Sequence, residues 1–126
     1  MTETSLKIIA HGMKSLGLDY ALGTYNKNPI SYPYWTGEYI EDPITSESGL
    51  QKSTFILTGF NRGELMELER EKTKIKDFFD RISGEIVMTD DGSAVAIFYL
   101  SGHLVKTVDP NLKKIQINLD VQEWRV

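Results

Sequence analysis

Pro29-Ile30-Ser31-Tyr32-Pro33-Tyr34-Trp35-Thr36-Gly37-Glu38-Tyr39-Ile40, answered after an acidic interval by Ser53-Thr54-Phe55-Ile56-Leu57-Thr58-Gly59-Phe60, decides how this chain folds. β-Branched and aromatic residues dominate both stretches, which predicts two strands of one sheet. Pro33 cannot donate to a ladder and so belongs at a strand start or edge. The interval from about Glu41 to Gln51 reads as a loop: Pro43, Ser46, Ser48 and Gly49 keep it out of regular structure, and Glu41, Asp42 and Glu47 meet no positive charge within it. A loop of that length inside a small domain is either slack or functional.

Working outward, Leu6, Ile9, Ala10, Met13 and Leu16 recur at helical spacing. They predict an amphipathic helix over residues 4 to 16, with Thr4 or Thr2 as cap and Gly17 as its end. Leu18 to Leu22 reads as a short strand and Gly23 to Pro29 as a loop. After Phe60 the period changes: Leu65, Leu68, Ile75, Phe78, Phe79 and Ile82 fall on one helical face, with Asn61 as cap and Gly84 as stop. Between them, Glu67 and Glu71 opposed by Lys72 and Lys76 read as the ion-paired, solvated side of that helix. Glu85 to Thr89 and Ala94 to Leu100 flank Asp90-Asp91-Gly92-Ser93, a hairpin signal. The apolar run from Ile97 to Leu100 predicts a strand buried on both faces, and Ser101 to Asn111 a connector. Ile115, Ile117, Leu119 and Val121 alternate with polar residues, one face inward and one wet, and Trp124 continues beyond them. The expected fold class is α+β: a single domain with a mostly antiparallel sheet of about five to six strands and two helices packed on it.

Size and composition agree with that reading. The 126 residues are 40% hydrophobic and 25% charged, the balance of one ordinary globular domain. Cysteine is absent, which removes disulfides, thiolate metal sites and a cysteine nucleophile. Met1 to Ala10 does not read as a signal peptide, and no apolar run reaches the ~20 residues of a membrane span. A net charge of -4 speaks against general affinity for nucleic acid, and suits a surface that DNA passes without sticking.

No catalytic constellation is legible. His11 lies off the apolar stripe of the first helix and His103 beside Gly102 in a predicted turn, and neither has partners at metal-ligand spacing. Asp90-Asp91-Gly92 lacks the later ligands of a cation loop, and Gly59-Phe60-Asn61-Arg62-Gly63 lacks the lysine and hydroxyl of a phosphate loop. No cofactor or metal is expected. The candidate functional surface is instead the aromatic run. Tyr32, Tyr34, Trp35 and Tyr39 cannot all enter one core from an alternating strand, and exposed Tyr and Trp anchor protein interfaces.

The order of these segments, from the first helix through Pro29-Ile30-Ser31-Tyr32-Pro33-Tyr34-Trp35-Thr36-Gly37-Glu38 and Ser53 to Phe60 to the closing Ile115-Gln116-Ile117-Asn118-Leu119, resembles the small tail-completion or tail-terminator proteins of long-tailed phages and prophages. The resemblance covers most of the chain and implies a non-enzymatic assembly protein. Its members form a ring, usually a hexamer, on the head-proximal end of the tail tube, stop tail growth and join tail to head. The implied partners are therefore the chain itself, the tail tube protein and the head connector protein, with no specific nucleic acid and no membrane. The implied location is the host cytoplasm during assembly and the virion afterwards. On this resemblance Tyr32, Tyr34, Trp35 and Tyr39 are interface candidates, and Glu38, Glu41, Asp42 and Glu47 belong to a mobile acidic loop facing the lumen. Three alternatives stand beside it: a minor tail or head-tail connector component, a small-ligand or enzyme module using His11 or His103, and a peptide reader adding a strand at Tyr34 to Ile40.

Overall fold

Ile115, Ile117, Leu119 and Val121 are fully buried, and they make one face of strand β6 (Lys113–Trp124) the floor of the core. The computed structural model describes residues 1–43, 49–80, 85–88 and 92–124. Along its whole length β6 pairs antiparallel with β3 (Leu50–Asn61), from Leu50 opposite Trp124 to Asn61 opposite Lys113. β3 pairs antiparallel with β2 (Tyr34–Glu41), whose outer side takes the three-residue β1 (Tyr20–Leu22) in parallel. On the other flank β6 pairs antiparallel with β5 (Ala94–Val105), and β5 with β4 (Glu85–Met88). The result is a six-stranded sheet in the order β1-β2-β3-β6-β5-β4, with both helices, α1 (Glu3–Ser15) and α2 (Leu65–Phe78), on one side of it. The expected α+β class with a mostly antiparallel sheet is the fold observed.

The local devices are legible residue by residue. The Thr2 hydroxyl accepts from the Ser5 amide at 3.2 Å to cap α1, and Gly17, at a φ of +74° that only glycine adopts freely, turns the chain out of it. Ile9 and Met13 of α1 and Leu68 and Ile75 of α2 meet Trp35, Phe55 and Leu57 of the sheet in one cluster. Each such buried side chain contributes about 1.5–3 kcal/mol. Two glycines make room for the two largest rings. Trp35 lies across Gly59, its direct partner on β3, so that a Cβ there would meet the indole at 2.7 Å; the Phe55 ring lies in the same way across Gly37.

Several expectations give way to tertiary context. Asn61 does not cap α2: it is the buried last residue of β3, its Nδ2 donates to the Glu64 carbonyl at 2.9 Å, and Glu64 occupies the cap position without a side-chain bond. α2 ends at Phe78, ahead of Ile82 and Gly84, which lie outside the described residues. Glu71 leaves the solvated face to accept from Trp35 Nε1 at 2.9 Å, while Lys72 pairs with Glu69 at 3.6 Å. Residues Ser101 to Val105 are strand, because β6 continues far enough to supply their ladder. His103 is therefore on a strand opposite Gln116. The doubly buried run is Val95 to Ile97, whereas Leu100 is 45% exposed at a register shift between Tyr99 and Ser101. The Asp90-Asp91 turn lies outside the described residues, though Gly92 has the positive φ, +86°, that a hairpin glycine supplies.

Candidate assembly surface

Since both helices lie on one side, the other side of the sheet carries no helix among the described residues and is bare in that sense, and strand alternation decides what it shows. Cross-strand register lines up Tyr34, Phe60 and Lys114 in one row and Thr36, Thr58, Gln116 and His103 in the next. The first row holds the aromatic cluster. Tyr34 stacks between Tyr25, at 4.1 Å between ring centres, and Phe60, at 5.0 Å, while Tyr32 tilts against it at 5.5 Å. Contacts of this kind are each worth about 0.5–1.5 kcal/mol beyond area burial.

Charged groups fix the rim of the cluster. The Arg62 guanidinium sits 5.9 Å over Tyr32, donates to its hydroxyl at 3.3 Å and pairs with Asp109 at 2.8 Å. Lys114 lies 5.5 Å over Phe60. The Tyr25 hydroxyl donates to Asp19 at 2.5 Å. Burial among the rings raises the Tyr34 phenol above its ordinary value, with a further push from Tyr32, and burial followed by the bond to Asp19 does the same for Tyr25. These hydroxyls act at neutral pH as donors and acceptors.

At its other end the bare side mixes exposed apolar groups with polar ones. Ile40, Ile86 and Trp124 are exposed there, and Met88 is 68% exposed, in rows that the register shares with Thr54, Asp120, Lys52 and Gln122. The polar band between carries Glu38, Asn118 and Ser101. The two ends thus differ in chemistry, one an aromatic cluster with basic rims and one a mixed surface that exposes Ile40, Ile86, Met88 and Trp124.

The predicted site residues are divided between these places. Tyr32 and Tyr34 are half-buried members of the cluster. Trp35 is fully buried against Gly59 with its indole N–H held by Glu71, so it is a core anchor and offers nothing to a partner. Tyr39 follows Trp35 and Gly37 on the helix side, on the margin of β2 that β1 leaves uncovered, and is 43% exposed. Glu38, Glu41 and Asp42 are exposed, and alternation puts Glu38 on the bare side and Glu41 on the helix side. Glu41 also pairs with the amino group of Met1. Glu47 lies outside the described residues. Sequence reasoning missed Tyr25 and Phe60. Phe60 was recoverable, because an antiparallel pair places it opposite Tyr34; Tyr25 was not, because it sits in a loop.

Two carboxylates are structural. Glu123, buried on β6, accepts from Thr2 N at 3.1 Å, Thr2 Oγ1 at 2.5 Å and Ser5 Oγ at 2.7 Å, seating the start of α1 on the sheet. Burial pushes its pKa up, but the bonds from Thr2 and Ser5 and the amino terminus outweigh that and hold it below the ordinary glutamate value. Glu71 is raised, chiefly by burial, against the lowering effect of the Trp35 bond. His11 lines a shallow groove of about 460 Å³ between α1 and β4 with Ile8, Phe78 and Val87, while His103 is exposed on the bare side, so the fold does not bring the histidines together. Among the described residues no group of His, Asp and Glu could hold a metal ion, and no helix is long and apolar enough to cross a membrane.

No family model and no curated protein matches the chain. Among solved structures it is similar to a chain in the virion of a native gene transfer agent particle, with a TM-score of 0.63 and 10% identity, over 90% of this chain and 84% of that one. At that identity the likeness is one of fold.

Proposed function

We propose that this chain is a non-enzymatic virion assembly protein that forms a ring on the head-proximal end of a tail tube, ends tail growth and joins tail to head. The observation that carries this reading is the likeness of fold to a chain of a phage-like virion over 90% of the protein. The resemblance of segment order to tail-completion proteins supports the finer role. The surface supports it as well: the bare side of the sheet has two chemically different ends, as a subunit placed between unlike neighbours requires. In the ring this face lines the lumen, where Glu38 in the polar band and Asp42 beyond Ile40 repel the DNA backbone. Tyr32 and Tyr34, backed by Tyr25 and Phe60, anchor one neighbour, and the opposite end, which exposes Ile40, Met88 and Trp124, meets the other.

The test is light scattering and negative-stain microscopy of the purified protein, alone and mixed with tail tubes from a terminator-deficient lysate. Rings capping one tube end, with tube lengths becoming uniform, are expected. A persistent monomer that ignores tubes refutes the terminator role and turns attention to a head-side connector or a peptide reader. Charge reversal at Glu38 and Asp42 that leaves DNA passage and infectivity unchanged refutes the lumen assignment.

A further inference from the structure

Both margins of the sheet are only partly covered. β1 covers Trp35 to Gly37 of β2 and leaves Glu38 to Glu41 without an outer strand; β4 covers Ala94 to Ile97 of β5 and leaves Ser101 to Val105 without one, among the described residues. The direction of the backbone groups on these open lengths follows from bonds already made. Trp35 N donates outward to Asp19 and Gly37 O accepts outward from Gly23, whereas Asp42 N donates inward to β3, so alternation turns the N–H and C=O of Tyr39 and Glu41 outward. On β5, Tyr99 N donates outward to the Phe79 carbonyl, and past the register shift the pairing with β6 turns Gly102 and Leu104 outward. Each margin thus presents an unused row of donors and acceptors, the condition under which strands add to one another.

The two rows fit each other. β2 and β5 run antiparallel within the sheet, since three antiparallel pairings separate them. Copies related by rotation about an axis to which the strands are tilted would therefore juxtapose them antiparallel, with the bare sides of both sheets facing the same way; the tilt supplies the offset of four residues, roughly 14 Å, between the row of Tyr39 and that of Leu104. In the register that places Tyr39 opposite Leu104, the bonding parity and the side-chain faces agree at once. Tyr39, 43% exposed, meets Leu104, 58% exposed. Glu41 faces Gly102, which has no side chain and over which Lys72 lies, its Cε 3.1 Å from where a Cβ would be. The β2 margin carries Glu38, Glu41 and Asp42, and the β5 margin lies beside Lys72, Lys106 and, over the Tyr99 ring, Lys76 at 5.7 Å. Within one copy Glu41 already pairs with the Met1 amino group and Lys72 with Glu69, so across the contact the acidic edge and the basic edge meet as a shared network in which each charge gains a second partner.

We infer that the open length of β2 on one copy pairs antiparallel with the open length of β5 on a second copy of this chain, with Tyr39 against Leu104 and Glu41 against Lys72. The identity of the occupant rests on the ring-forming reading; the geometry of the two margins does not. Such a contact joins unlike patches, so repetition closes a ring or extends a filament.

The chain has no cysteine, which makes the register directly testable. In Tyr39→Cys/Leu104→Cys the two cysteines of one chain are three strand spacings apart across the sheet and four residues apart along it, roughly 20 Å in all, and cannot join, whereas across the contact their Cα atoms would lie about 5.5 Å apart, within disulfide reach. Oxidation of the protein at high concentration and on tail tubes is expected to give a ladder of linked copies on non-reducing gels. Tyr39→Cys/Met88→Cys, which uses the β4 margin, is expected to give none. Absence of the ladder, or equal linking in the control, overturns the inference. Glu41→Lys should lower linking about tenfold or more, and adding Lys72→Glu should restore it; loss without restoration overturns the pairing. Tyr39→Pro removes an outward N–H and the ring placed against Leu104 but no ladder bond to β3, so it should abolish association while far-UV circular dichroism is retained. Linking without tube capping leaves this contact standing and removes the terminator role, and capping without linking does the reverse.

Discussion

Replacing Gly59 with alanine puts a methyl group 2.7–2.8 Å from three carbons of the Trp35 ring. Carbon atoms rest about 3.5–4.0 Å apart, so the indole must withdraw by roughly 1 Å. It has little room to do so, being fully buried with Nε1 held 2.9 Å from Glu71. Overpacking of this kind costs about 1–3 kcal/mol. If the ring moves far enough to release Glu71, a bond to a charged group worth about 1.5–3 kcal/mol is lost as well. The expected destabilisation is therefore about 2–4 kcal/mol, which lowers the melting temperature by roughly 6–20 °C in a domain of this size. Urea unfolding followed by Trp35 fluorescence in a Trp124→Phe background gives the free energy. A Trp35→Phe partner variant, whose smaller ring leaves space for the methyl, should make Gly59→Ala cheaper by at least about 1 kcal/mol in a double-mutant cycle. A Gly59→Ala protein within about 0.5 kcal/mol of the parent, or a cycle with no coupling, would refute the claim that this glycine exists to seat the indole.

Three further outcomes follow from buried polar groups. The Glu123 carboxylate has its pKa held below the ordinary value, so the stability it contributes is present above about pH 4.3 and is lost as pH falls through the lowered value. Glu123→Gln should flatten that acid limb of a stability-pH curve, and a curve unchanged between the two proteins would contradict the assignment. Glu71 is raised, chiefly by burial, so its contribution is fully present below about pH 4.3 and is lost as pH rises through the raised value. Glu71→Gln keeps an acceptor for the indole and should be at least as stable at pH 7, whereas a clear loss would mean that the charge itself holds α2. Burial pushes the Tyr20 phenol up to about 12, and its hydroxyl is buried with no hydrogen-bond partner among the described residues, so Tyr20→Phe should leave stability equal or raise it by up to about 1 kcal/mol in chemical denaturation. A loss of that size would reveal a bond that the hydroxyl makes.

What could be read from the chain depended on whether a residue's surroundings were local. The strict alternation of β6 and the helical spacing of α1 specify their own buried faces, because each period matches one kind of element. The aromatic run is different: alternation says that Tyr34 and Trp35 point opposite ways, but only the position of the helices says which way is in. Trp35 therefore enters the core and leaves the candidate interface, and Tyr25 and Phe60 join Tyr34 in its place. Ser101, Gly102 and His103 have the composition of a turn and are strand only because β6 is long enough to pair with them. Glu71 has the company of a surface charge and is drawn inward by one indole from a distant strand. Such long-range partners leave no mark in local sequence.

The place of β6 also bears on how the protein is made. It follows every other strand in sequence, yet it lies between β3 and β5 at the middle of the sheet. Until it emerges from the ribosome, the chain holds two separate fragments, β1-β2-β3 and β4-β5, each with an inner margin open to solvent. Glu123, near its end, is also what α1 needs to settle. Folding must then wait for β6, and its dependence on distant pairings makes it slow relative to a helical bundle. A chain cut short before β6 would lack Ile115, Ile117, Leu119 and Val121, and with them the floor of the core.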